Sequence, residues 1–310
     1  MAATPGRPIV AGVDGSKVAR AAARWAAGDA MLRGATLRLV HALDHPQPVS
    51  YPAPSLMAPP VTDHMREWAR HLLQITATEL TGEHPELVVE TVSADGTPWA
   101  VLVEQSTEAL LTVVGSHGGG QLEDAVFGSV ASRLAAHAEG SVVIVRAQQP
   151  VRPPDSPPGA VVVGVDGSAE ADGAITFAFD EAALRGSALI ALHAWNHKPL
   201  EHSLGHYRLH IDADAVHEGE RRQLTAHLAP WVERYPSVPV QPVVLRGRAA
   251  AALLTYLKHA PDGPPQLVVV GRRGRGGFAR LLLGSTSTAL VAHADSPVVV
   301  VRGWGATADR

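Results

Sequence analysis

Leu267 to Arg302 reads LVVVGRRGRGGFARLLLGSTSTALVAHADSPVVVVR, and this stretch decides the fold. Four apolar residues predict a short strand buried on both faces. It breaks at Gly271, a helix resumes from about Ser285, and a second strand, Val298 to Val301, follows. Gly271, Gly274 and Gly284 with Ser285 spell G-x2-G-x9-G-S. Glycines let backbone N–H groups approach an oxyanion that a Cβ would hold off, and the helix aims its positive end at the same point. This is a phosphate-binding design.

The same spacing recurs at Gly115, Gly118, Gly128 and Ser129, so the chain carries two such sites. Working back from each, an apolar run ends in the same tetrapeptide, VDGS: Ile9 to Val13 before Asp14-Gly15-Ser16, and Val161 to Val165 before Asp166-Gly167-Ser168. Each serine is placed to cap a helix, Val18 to Arg33 or Ala169 to Arg185, that stops at a C-cap glycine, Gly34 or Gly186. Second strands follow, with His41-Ala42 and His193-Ala194 near their ends. Long helices, Asp63 to Thr81 and Asp212 to Arg234, precede third strands at Leu87 to Val92 and Val240 to Leu245. Short helices then lead to fourth strands at Leu111 to Val114 and Leu267 to Val270, and the units close on Val142 to Val145 and Val298 to Val301.

Strands alternating with helices call for parallel sheets covered on both faces, and right-handed crossovers make them doubly wound. The expected fold is α/β: two tandem five-stranded, Rossmann-like domains at 1–146 and 160–303, joined by a linker at 147–159 that holds five prolines. A site then belongs at the carboxyl ends of the first and fourth strands of each domain.

The chain has 310 residues, ample for two cores, and its 46% hydrophobic content with 18% charged residues excludes disorder. With 26 basic against 30 acidic residues the net charge of -4 suggests neither a nucleic-acid stripe nor a membrane-seeking face. There is no cysteine, which removes disulfides, thiolate metal sites and cysteine nucleophiles. No apolar run of membrane-spanning or signal-peptide type is found, and a cytoplasmic protein is expected. His202, His206 and His210 have metal-ligand spacing but lie in the least repeated loop, so no metal is assigned to them. His41 and His193, on apolar strands, are read as hydrogen-bonded core histidines.

Both halves resemble the ATP-binding universal stress protein domain, in the tandem arrangement of actinobacterial members. The resemblance rests on VDGS twice, the complete glycine motif twice, and His-Ala after each last helix at His137 and His293. It implies one ATP per domain, with Mg2+ held by the phosphates. Asp14 and Asp166 would contact the adenosine beside the backbone of Gly12 and Gly164, and Ala42 and Ala194 would offer backbone bonds to the adenine edge. Gly115, Gly118, Gly128 and Ser129 would hold ribose and phosphates in the first half, and Gly271, Gly274, Gly284 and Ser285 in the second.

Arg272, Arg273, Arg275 and Arg280 are candidate phosphate contacts, Arg272 and Arg275 foremost. The first loop has no arginine and adds Glu123 and Asp124, so the second site is expected to bind more tightly. The resemblance also implies that the halves pack as a pseudo-dimer on their last strands and that two chains form a homodimer.

A non-enzymatic stress or dormancy regulator is the leading reading. The alternatives are a slow ATPase or other nucleotide-transforming enzyme, and an interaction module with vestigial sites. Enzymatic turnover is disfavoured because no lysine precedes Ser129 or Ser285, the only lysines being Lys17, Lys198 and Lys258.

Overall fold

The computed structural model describes residues 6–44, 59–117, 128–146, 159–196, 213–274 and 283–302. The chain divides into two compact units, residues 1–148 and 149–310.

In the first unit the strands are β1 (Ile9–Gly12), β2 (Leu37–Leu43), β3 (Val89–Asp95), β4 (Leu111–Gly115) and β5 (Ser141–Val145), and the helices α1 (Lys17–Arg33), α2 (Pro59–Glu83), α3 (Pro98–Ser106) and α4 (Ser129–His137). The strands lie in the order β3-β2-β1-β4-β5, all parallel. The second unit repeats this with β6 (Val161–Gly164), β7 (Leu189–Trp195), β8 (Val240–Arg246), β9 (Leu267–Gly271) and β10 (Val298–Val301), in the order β8-β7-β6-β9-β10. Its helices are α5 (Ala169–Arg185), α6 (Ala213–Arg234), α7 (Ala249–Lys258) and α8 (Ser285–His293). The doubly wound α/β fold expected from the alternation is therefore present twice.

Short, almost wholly apolar runs, with Thr112 the one polar residue, make β1, β4, β6 and β9 because both faces are covered, and Ile9, Val113, Val161 and Val269 are fully buried. In α1 the buried stripe is nearly all alanine, with Ala22, Ala23, Ala26, Ala27 and Ala30 at zero exposure. Side chains that small let the helix axis approach β1 and β4 closely. Helices α1 and α2 touch each other on one face of the first sheet, and α3 and α4 touch on the other.

Strand β3 runs to Asp95 rather than ending at Val92. Its register against β2 pairs Leu37 with Val89 and continues to Leu43 with Asp95. An edge strand with a solvated face needs no apolar signal, so Ser93-Ala94-Asp95, with two polar residues of three, was not legible as strand. Helix α2 starts at Pro59, where a first-turn proline forfeits no intrahelical bond.

The duplicated helices are fastened differently. In the second unit three side-chain pairs, each 55 residues apart, tie α5 to α6 and the residue that follows it: Asp172 to His227 at 3.0 Å, Trp231 Nε1 to Thr176 at 2.9 Å and Tyr235 OH to Asp180 at 2.7 Å. In the first unit Arg24 of α1 instead meets Glu83 of α2 at 3.1 Å. Both units hold a buried carboxylate clasped by the arginine one turn on. Asp29 pairs with Arg33 at 2.7 Å and Glu181 with Arg185 at 3.0 Å.

Candidate functional site

Doubly wound sheets open a crevice where successive connections leave a strand in opposite directions, here past the carboxyl ends of β1 and β4 and of β6 and β9. In the second unit that crevice is a cleft of about 540 Å³. Gly164, Val165 and Asp166 line it from the end of β6, Leu192 and Ala194 from β7, and Ala249 and Leu253 from α7. Val270, Gly271, Arg273 and Gly274 close it from β9, and Leu283 to Ser287 from the start of α8. One end is thus apolar, the other rich in donors.

Each VDGS tetrapeptide forms the same turn. Gly167 takes φ 72° and Gly15 φ 84°, left-handed backbone that favours glycine. Asp166 Oδ1 accepts from the backbone N–H of Ser168 at 3.0 Å and from its hydroxyl at 2.6 Å. Ser168 Oγ in turn accepts from Ala171 N at 3.2 Å, capping α5. The first unit matches, with Ser16 N to Asp14 Oδ1 at 2.9 Å and Ala19 N to Ser16 Oγ at 3.1 Å. With one carboxylate oxygen spent on the turn, the other faces the glycine loop. A methyl on Gly274 would collide with Asp166 Oδ2, so any larger residue there would have to turn the carboxylate aside.

The loops close identically. Gly284 N donates to Arg272 O, and Gly128 N to Ser116 O, each at 2.8 Å. Those glycines are the N-caps of α8 and α4, and neither helix has a side-chain cap. The first-turn N–H groups of a helix lack intrahelical partners, so both helices begin on a donor set suited to an anion. Ser287 Oγ donates to Gly271 O at 2.7 Å and braces the strand end beneath the loop.

Backbone alternation does the corresponding work at the apolar end. The β6–β7 ladder finishes at Gly164 with Leu192, and Val165 N to Leu192 O at 2.8 Å is its last rung. Residues two apart in a strand send their N–H and C=O to the same side. Ala194 therefore directs its backbone past the end of β6, into the cleft it lines. Gly164 itself is tightly packed. A Cβ there would lie 3.2 Å from a Leu253 methyl, and one on Gly12 3.0 Å from Leu102.

His41 and His193 are half-buried and hydrogen-bonded, as read from the sequence. Nδ1 of His41 lies 2.7 Å from Val13 O and that of His193 2.8 Å from Val165 O, so each donates to the residue preceding the turn aspartate. Beyond them the units differ. His41 meets the Trp68 ring edge-on at 5.3 Å, and His193 Nε2 lies 3.3 Å from Glu220.

The whole arrangement has close relatives. A family model described as the universal stress protein family matches residues 6–146 and again 159–302. The chain belongs to the universal stress protein family. Two tandem universal stress proteins of Mycobacterium tuberculosis, Rv2623 and Rv2005c, are each 38% identical to it, over 300 and 296 residues, covering 95% of this chain and 96% of theirs. A universal stress protein of Archaeoglobus fulgidus shares the fold with a TM-score of 0.67 at 17% identity, over 96% of both chains.

Of the residues singled out by the universal stress protein resemblance, the second cleft assembles Gly164, Asp166, Ala194, Gly271, Gly274, Gly284 and Ser285. Arg272 is not among the lining residues, whereas Arg273 is. Arg272 is held in the strand extension, its N–H donating to Val301 O at 2.9 Å. In the first unit Gly12, Asp14, Ala42, Gly115, Gly128 and Ser129 occupy the equivalent positions. Gly118, Glu123, Asp124, Arg275, Arg280 and the histidines at 202, 206 and 210 lie outside the described residues. Sequence reasoning missed the apolar wall of Leu192, Leu253 and Val270, and the hydroxyls of Thr286 and Ser287. The Ser-Thr-Ser run opening α8 was the signal for the last two. Among the described residues no group of three or more His, Asp or Glu is placed to hold a metal ion, and no helix is long and apolar enough to cross a membrane.

Proposed function

We propose that each universal stress protein domain of this chain binds one adenine nucleotide, ATP with Mg2+ carried on its phosphates, and that the protein acts as a cytoplasmic stress or dormancy regulator rather than an enzyme. The carrying observation is the second cleft. An apolar wall of Leu192, Leu253 and Val270 suits a base, with the Ala194 backbone at its edge. Arg273, Ser285 and the uncapped start of α8 suit phosphates, with Asp166 between the two ends for the sugar. A volume of about 540 Å³ is in the range of cofactor sites.

Binding without turnover is favoured by the lack of a lysine before Ser129 or Ser285. Without such a lysine the site supplies chiefly ground-state binding, and binding ground and transition states equally accelerates nothing. Heat-released small molecules from freshly purified protein, identified by mass spectrometry, test the ligand: adenine nucleotide is expected, and its absence together with no binding of added ATP overturns the reading. A single-turnover assay tests the chemistry. ATP loss within seconds would place the protein among enzymes.

A further inference from the structure

The two sites are built on one plan and differ at the phosphate end. Gly115 and Gly271 end equivalent strands, and the matching 2.8 Å loop-closing bonds fix the correspondence that follows. Ser116 stands for Arg272 and His117 for Arg273. On the helix, Ser129 stands for Ser285, Val130 for Thr286 and Ala131 for Ser287. The second cleft therefore presents an exposed guanidinium and hydroxyls on Ser285 and Thr286, the Ser287 hydroxyl being committed to Gly271 O. In the first unit the guanidinium is replaced by an imidazole, half-buried, whose Nδ1 lies 3.0 Å from Ser116 Oγ. Two of the three positions opening α4 carry no hydroxyl.

A guanidinium keeps its charge at every working pH and offers paired N–H groups to phosphate oxygens. An imidazole offers one remaining nitrogen. Backbone donors are common to both sites, so they supply a contribution that both share. What the side chains add depends on how much phosphate charge is there to meet them.

We propose that the second domain is the polyphosphate-reading site, in which Arg273 makes affinity climb from adenosine through AMP and ADP to ATP. The first domain, with His117 in that place, reads mainly the nucleoside and discriminates little among them. This rests on the nucleotide reading given above and assigns specificity within it.

The test titrates adenosine, AMP, ADP and ATP by calorimetry at pH 8 and fixed salt into Asp14→Ala, which leaves the second site, and Asp166→Ala, which leaves the first. From AMP to ATP the affinity of the second site should rise about tenfold or more, one charge-assisted contact's worth, and that of the first less than about threefold. Arg273 is exposed, so Arg273→His and Arg273→Gln in the Asp14→Ala background disturb no core, and both should flatten the second site's rise to that of the first. His117→Arg in the Asp166→Ala background should steepen the other.

Equal rises in the two sites, or a second-site rise that survives both Arg273 changes, overturns the specificity proposal while leaving nucleotide binding intact. Failure of the unsubstituted protein to bind any of the four compounds overturns the nucleotide reading, and the specificity proposal with it.

Discussion

Gly128→Ala and Gly284→Ala are the same change at equivalent positions, and the structure expects different results. Both glycines have backbone angles open to alanine, φ −69° and −67°. A methyl on Gly128 would stand 3.0 Å from His117 Cα and 3.0 Å from Ser116 O, backbone atoms that cannot rotate aside. On Gly284 the nearest atoms, Arg272 O and Arg273 Cα, are 3.5 Å away, ordinary contact. Overpacking of the first kind costs about 1–3 kcal/mol. At the second position the change costs little, and the alanine's narrower unfolded ensemble contributes roughly 0.4–1 kcal/mol in favour of folding.

Native-state hydrogen exchange read by mass spectrometry separates the two domains. In Gly128→Ala, peptides covering Leu111 to Gly115 should exchange about tenfold faster or more, since each 1.4 kcal/mol is a factor of ten. In Gly284→Ala, peptides covering Leu267 to Gly271 should keep their protection. Equal loss in both, or a larger loss from Gly284→Ala, would refute the reasoning from contact distances. Because Gly284→Ala leaves the fold intact, any fall in ATP affinity it causes belongs to the ligand's approach.

Arg185→Met removes the guanidinium from Glu181, whose side chain is 2% exposed, and should cost about 3 kcal/mol in urea unfolding; the double change with Glu181→Met should recover most of it. Burial, then the hydrogen bond from its hydroxyl to Asp180, pushes the Tyr235 phenol up to about 12 from the ordinary value of 10. A group whose folded value is raised holds its proton more tightly when folded, so its stabilisation is complete below pH 10 and is lost between about 10 and 12. Tyr235→Phe should remove that part of the alkaline decline in melting temperature, and an unchanged alkaline limb would contradict it. Light scattering should give twice the chain mass for the expected homodimer, and a single-chain mass at working concentration would remove that expectation.

Much of the fold was legible because its signals are local. VDGS specifies a turn and a cap from four consecutive residues, and Ser16, Ser168, Gly34 and Gly186 cap their helices as the sequence implied. Continuous valine runs separated by helix-length segments leave little besides a parallel sheet covered on both faces, and repeating the pattern twice made two domains. The third strand's end was less legible, since Asp95 is held by its register with Leu43 and not by any apolar preference of its own.

By itself the sequence determined two doubly wound domains, the crevice that this topology opens at the strand ends, and the turns that Asp14-Gly15-Ser16 and Asp166-Gly167-Ser168 form there. These follow from short-range backbone chemistry. Only the tertiary structure decided that Arg273, and not its neighbour Arg272, faces the cleft, because adjacent residues leaving a strand point opposite ways and the loop's closure onto Gly284 sets which way each one faces. It also decided that Leu253 joins the apolar wall, that the Asp166 carboxylate closes on Gly274, and that α5 and α6 are fastened through pairs 55 residues apart. Such contacts join segments distant in the chain, and no local pattern records which side chains will meet.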